Sequence, residues 1–189
     1  MRKLFARCQT GLTLVEVMVV LAVLGILLAV AVPAFQDMLH RQRVQSVTTE
    51  LVSDLALMKA TSAQVRHQSL LAFMIFDLTP ARNCYALLAM TNLDGHSCDC
   101  SKPPGSVCTA GDRKDPEVKI VKLPDSTGIR FVTTPQSTIR FVNGQRADFN
   151  YQILVEGTRP GRLRVDLSRG GMVHVCAPDG DFSGYKKCA

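Results

Sequence analysis

Glu16 is the one charged residue in the 21-residue stretch from Leu12 to Val32, which also contains no proline. About 20 apolar residues span a bilayer as a helix. A carboxylate deep inside such a span costs about 2.5–3.5 kcal/mol unless something pairs with it. Two further sets of residues can do chemistry. Cys84, Cys98, Cys100, Cys108, Cys176 and Cys188 all follow the apolar run, while Cys8 precedes it. Near the C-terminus, Arg162, Arg164, Arg169, Lys186 and Lys187 lie among Asp166, Asp179 and Asp181.

Three readings of the apolar run compete. Ala29-Val30-Ala31 has the small residues of a secretory signal cleavage site, which would release a secreted, disulfide-bonded domain after Ala31. A plain membrane anchor would bear the cost of Glu16 for no gain. The third reading rests on Gly11-Leu12-Thr13-Leu14-Val15-Glu16, which resembles the processing site of type IV prepilins and type II secretion pseudopilins.

That resemblance implies cleavage between Gly11 and Leu12 by prepilin peptidase, followed by N-methylation of Leu12. It departs from the more usual pattern in having Leu12 where phenylalanine is common. Cleavage would put an α-ammonium on Leu12, four residues from Glu16. In lipid a lone carboxylate is relieved by pairing. The amine of one subunit can meet Glu16 of its neighbour, so Glu16 reads as a register device for assembly. The implied partners are other pilins or pseudopilins in a filament, the peptidase and the inner membrane. Arg2, Lys3 and Arg7 stay cytoplasmic by the positive-inside rule, which sends the C-terminal head to the bacterial periplasm in a single pass.

These residues need elements to position them. The segments are a leader over 1–11, an apolar helix over 12–35 and an amphipathic helix over 36–68. Pro33 kinks the helix without stopping it. Val44, Val47, Leu51, Leu55, Met58, Ser62 and Val65 recur at spacings of three and four, with Arg41, Arg43, Glu50, Asp54, Lys59 and Arg66 between them. From residue 69 to 189 the pattern changes to strands. They are expected at Leu70–Phe76, Cys84–Met90, Val118–Leu123, Ile129–Thr133, Thr138–Val142, Tyr151–Glu156, Leu163–Leu167 and Met172–Cys176. Asn143-Gly144 and Arg169-Gly170-Gly171 supply turns. The fold class is α+β: a long kinked N-terminal helix, its first half transmembrane, packed on an antiparallel β-sheet head. Residues 91–116, rich in Asp, Gly, Pro, Ser and Cys, read as a cystine-tied surface loop. Within the superfamily, Ser46–Arg66 and the closing strand pair ending at Cys176 resemble the GspH/FimT-like minor pilins and pseudopilins. Ala31-Val32-Pro33-Ala34-Phe35 and the cysteine-closed tail lean towards the pilus type.

Seven cysteines are an awkward number in an oxidising compartment; loss of Cys8 with the leader leaves six. Cys176 and Cys188 bracket a tail that a bond would order. The pairing of Cys84, Cys98, Cys100 and Cys108 stays open. His96 with Cys98, Cys100 and Cys108 offers four zinc-ligand types, but C-x-C is tighter than the usual zinc spacing, and disulfides are favoured. Asp179-Gly180-Asp181 could begin a calcium loop, yet it lacks a later carboxylate and reads as a turn. His40, His67 and His174 are isolated, with no triad order or phosphate loop, so no enzyme, cofactor or metal is expected.

The chain carries a formal charge of +6. Loss of Arg2, Lys3 and Arg7 leaves 19 of the 22 basic residues against 16 acidic ones, an excess of only +3. A second function remains open on the basic tail, since Gly161-Arg162-Leu163-Arg164 spells the G-R-x-R motif through which FimT-like competence pilins bind DNA. Aligned by the last strand and Cys176, that motif would instead fall on Gly171-Met172-Val173-His174, which has no arginine. A DNA-binding pilus subunit for DNA uptake is therefore an alternative, resting on Arg162, Arg164, Arg169, Lys186 and Lys187.

Overall fold

The computed structural model describes residues 13–65, 71–78, 83–90, 97–99, 102–110, 113–114, 117–134, 137–142 and 146–189. Helix α1 runs over Leu14–Val65, with Pro33 inside it. The chain divides into two compact units, residues 1–39 and 40–189, and α1 contributes to both. In the first unit every described side chain from residue 13 to 38 is exposed. The helix is long and apolar enough to cross a membrane, with a mean hydropathy of 2.9 over its most apolar 18 residues.

In the second unit the helix presents a stripe. Val44, Leu51 and Met58 are wholly buried and Leu55 nearly so. The heptad-like spacing puts them on one face, which two antiparallel sheets cover. The first sheet has the order β6-β2-β1-β8-β9, formed by Glu117–Lys122, Cys84–Met90, Leu71–Asp77, Thr138–Val142 and Arg146–Ala147. The second has the order β12-β11-β10-β7, from Val173–Cys176, Leu163–Leu167, Tyr151–Gly157 and Ile129–Thr134. The sequence suggested one sheet. Two form because consecutive strands part: β7 pairs with β10, while β8, which follows it in the chain, pairs with β1.

The Asn83 side chain joins the two sheets at a corner. Its amide donates to the Ile129 carbonyl and its oxygen accepts from the Phe131 N–H at 3.1 Å. It thus does the work of a strand peptide on the β7 edge, which would otherwise present bare backbone groups. Close packing on the helix also fixes Gly157. A Cβ there would collide with the His40 imidazole, coming within 2.8 Å of Nε2.

The outer faces of the two sheets differ. On the second sheet, alternation puts Leu163, Val165 and Leu167 in the core and Arg164 and Asp166 outside. On the first sheet the outer face is apolar: Phe73, Ala86 and Leu88 form a second core with Val107 and Cys108. The loop region that supplies this cover contains three short strands, Ser97–Cys98 (β3), Cys108–Ala110 (β4) and Arg113–Lys114 (β5), in the order β3-β4-β5. The sequence read this region as loop, because strands this short leave no periodicity to see. A Cys98–Cys108 disulfide closes it.

Candidate functional site

At the start of α1 the Glu16 N–H donates to Thr13 Oγ1 at 3.2 Å. Thr13 is the residue before the helix and Glu16 is in its first turn. This is an N-cap with the spacing of a capping box, Thr-x-x-Glu. The cap satisfies a helix N–H that would otherwise be orphaned, and it places the Glu16 carboxylate at the positive end of the helix dipole. Sequence reasoning gave Glu16 a role only in assembly and missed Thr13, although the capping spacing was visible. Gly11 and Leu12 lie outside the described residues.

A second polar cluster fixes the helix on the head. Asp54 was expected on the polar side of α1, but only 3% of it is exposed. Tyr85 donates to Asp54 Oδ2 at 2.7 Å, and Lys119 Nζ lies 2.8 Å from Oδ1 and 2.9 Å from Glu50 Oε1. Glu50 and Asp54 are one turn apart and grip the same ammonium. Burial, and then the hydrogen bond to Asp54, push the Tyr85 phenol well above its ordinary range. Burial alone would lower the Lys119 pKa, but its hydrogen bonds to Asp54 and Glu50 outweigh that and raise it. A carboxylate is tolerated in the core here because two strands, β2 and β6, bring it a hydroxyl and a cation. No local sequence signal could have found those partners.

The C-terminal tail is pinned to the second sheet. Cys176 and Cys188 form a disulfide, and the Ala177 N–H donates to the Lys186 carbonyl at 2.9 Å. Phe182 is buried and stands edge-on to Tyr185, with ring centroids 5.6 Å apart. The Arg41 guanidinium lies 5.7 Å over the Phe182 ring and also donates to the Asp181 carbonyl. Asp179-Gly180 makes a turn: Gly180 has φ 74° and donates its N–H to Ala177 O at 3.2 Å. Among the described residues no group of three or more His, Cys, Asp or Glu could hold a metal. Cys84 is disulfide-bonded as well. Cys100 and His96 lie outside the described residues.

Arg162 and Arg164 in the tail have partners of opposite charge. Arg162 Nε and Nη2 donate to Asp179 at 2.6 and 2.8 Å, and its Nη1 lies 3.7 Å from Glu156. Hydrogen bonding to Asp179 raises the Arg162 pKa, and the same contact lowers that of Asp179. Arg164 Nε is 2.8 Å from Asp166 Oδ1. Arg169 Nε donates to the Asp148 carbonyl at 3.1 Å, and its guanidinium lies 5.9 Å over the Phe149 ring. Glu156, Thr158, Arg159, Arg162, Asp179 and Asp181 line a cleft of ≈ 390 Å³ whose walls carry both signs of charge.

The prokaryotic N-terminal methylation motif matches residues 6–32, the stretch that holds Gly11, Leu12, Thr13 and Glu16. This stretch is similar to the N-terminus of type IV pilins. Similar proteins are named as pilins or fimbrial proteins. A type IV major alpha-pilin of Moraxella bovis is 44% identical over 45 residues, 24% of this chain and 28% of that protein. A fimbrial protein of Pseudomonas aeruginosa is 39% identical over 56 residues, 30% of this chain and 34% of that protein. The type IV major fimbrial protein FimA of Dichelobacter nodosus is 45% identical over 42 residues, 22% of this chain and 27% of that protein. The chain thus spans about a quarter to a third of the length of these curated pilins. No solved structure matches it. One long N-terminal helix, apolar in its first half, is followed by antiparallel sheets, a pilin-like α+β architecture.

Proposed function

We propose that the chain is a filament subunit, a minor pilin or pseudopilin of a type IV pilus or type II secretion pseudopilus. In this reading it is anchored in the bacterial inner membrane with its head in the periplasm. Prepilin peptidase cuts it between Gly11 and Leu12 and methylates Leu12, and other pilins then take up its apolar helix. The observation that carries the reading is the exposure of α1 from Leu14 to Met38, where Leu14 is 70% and Val30 72% exposed. An apolar surface that size is not stable in water. It needs lipid first and neighbouring helices afterwards, and the methylation motif lies directly on it.

The GspH/FimT-like assignment is the finer part of the proposal. It rests on the sequence of Ser46–Arg66 and on the closing strand pair that ends at Cys176. Intact-mass analysis of membrane-extracted protein tests the reading. The expected species begins at Leu12 and carries one N-methyl group. A chain beginning at Val32 would replace it with the secreted-domain alternative. Gly11→Val should leave the leader attached while insertion persists.

A further inference from the structure

We propose that the backbone amides of Gly105, Val107 and Cys108 form a carboxylate-binding nest, filled within this chain by Glu117, and that this contact holds the cystine loop shut over the apolar outer face of the first sheet. Pro103-Pro104-Gly105-Ser106 is a turn closed by the Ser106 N–H to the Pro103 carbonyl at 3.1 Å. Proline followed by a glycine at φ 82° is the signature of a type II turn. A turn with positive φ aims successive N–H groups into one concavity, which is how backbone binds anions.

Here the concavity is full. Glu117 Oε1 accepts from the Val107 and Cys108 amides at 2.7 and 3.2 Å, and Oε2 accepts from Gly105. Such charge-assisted bonds are the stronger kind. Glu117 opens β6, so the carboxylate is carried by the sheet while all three donors belong to the loop. The Cys98–Cys108 bond closes the loop on itself; among the described residues its tip is attached to the sheet by Glu117 and by Lys122, which donates to the Lys102 carbonyl at 3.2 Å. Directly beneath, Phe73, Ala86 and Leu88 are buried with Val107. The loop is therefore a lid on an apolar sheet face, and its latch is an internal ligand. Any small carboxylate of the same shape fits the nest once Glu117 is gone. This inference is independent of the filament reading.

Hydrogen exchange of the full chain in detergent tests it, read residue by residue at Gly105, Val107 and Cys108. Glu117→Ala should accelerate exchange at these amides by about tenfold or more, and the vacant nest should regain protection in acetate but not in chloride of equal ionic strength. Glu117→Gln keeps the shape and one acceptor oxygen. It should lose protection at Gly105 while Val107 and Cys108 keep theirs, which guards against general unfolding of the alanine variant. Unchanged protection in Glu117→Ala would overturn the latch. Lost protection that acetate and chloride restore equally, or not at all, would overturn the nest.

Discussion

Residues 14–38 of α1 expose every side chain, whereas from His40 onward every third or fourth side chain is buried against the sheets. Both stretches are helix, and both are rich in Leu, Val, Met and Ala. They differ in apolar content, 20 of 25 residues over 14–38 against 11 of 26 over 40–65, and in how it is distributed. The first stretch is apolar all round, so no single sheet could cover it, and it is suited to lipid or to several neighbours. The second concentrates its apolar residues on one stripe and is covered by its own chain. The two also treat their carboxylates differently. The Glu16 carboxylate lies in the first turn of its own helix, near the positive end of the dipole, while Asp54 draws a tyrosine and a lysine from two strands.

The largest effect should come from breaking the second half. Asp54→Ala leaves the buried Tyr85 hydroxyl without its partner and Lys119 with Glu50 alone, and should cost about 3 kcal/mol of head stability, read from thermal or urea unfolding. The equivalent change in the first half, Leu24→Arg, should leave head unfolding unchanged. It should instead hinder membrane insertion, by about 2.5–3.5 kcal/mol if the site is central in the span. A loss of head stability in Leu24→Arg would mean that the two halves are not independent.

Gly157→Ala sharpens the boundary between them, because a new Cβ must push aside His40, where burial begins. A loss of about 1–3 kcal/mol is expected, since the β10 backbone cannot withdraw from the helix. Alkaline titration reads the same head more gently. The Tyr85 and Tyr151 phenols are raised in the folded state, by burial first and by hydrogen bonds to Asp54 and Asp148 second. Their stabilisation is complete below about pH 10, the ordinary phenol value, and is lost as pH rises above it, because the unfolded chain ionises there and the folded one does not. Urea midpoints should fall above pH 10, and less steeply in Tyr85→Phe.

The smallest effect concerns the tail. If Arg162 and Arg164 are committed to Asp179, Glu156 and Asp166, replacing both with Gln should leave weak DNA retardation, and its dependence on salt, essentially unchanged. A flattening of the salt slope by about two units would instead place both guanidiniums on phosphate and revive the DNA-uptake reading.

What the sequence determined alone was local or periodic. The apolar run, the position of Glu16 and the stripe through Val44, Leu51, Leu55 and Met58 follow from composition and the 3.6-residue repeat. The main strands follow from two-residue alternation, and their boundaries shift by only a residue, as where Leu70–Phe76 becomes Leu71–Asp77. Tertiary structure decided everything that depends on distant residues meeting. Two sheets in place of one, the lid over Phe73 and Leu88 and the burial of Asp54 each join segments well apart in the chain. The tail arginines show the same division. Sequence spacing made Arg162 and Arg164 a basic motif, whereas the turn at Gly180 and the neighbouring β10 strand brought Asp179 and Glu156 against Arg162. A charge pattern along the chain fixes which ions exist, but only the fold sets their separations, and electrostatic energy depends on separation and burial.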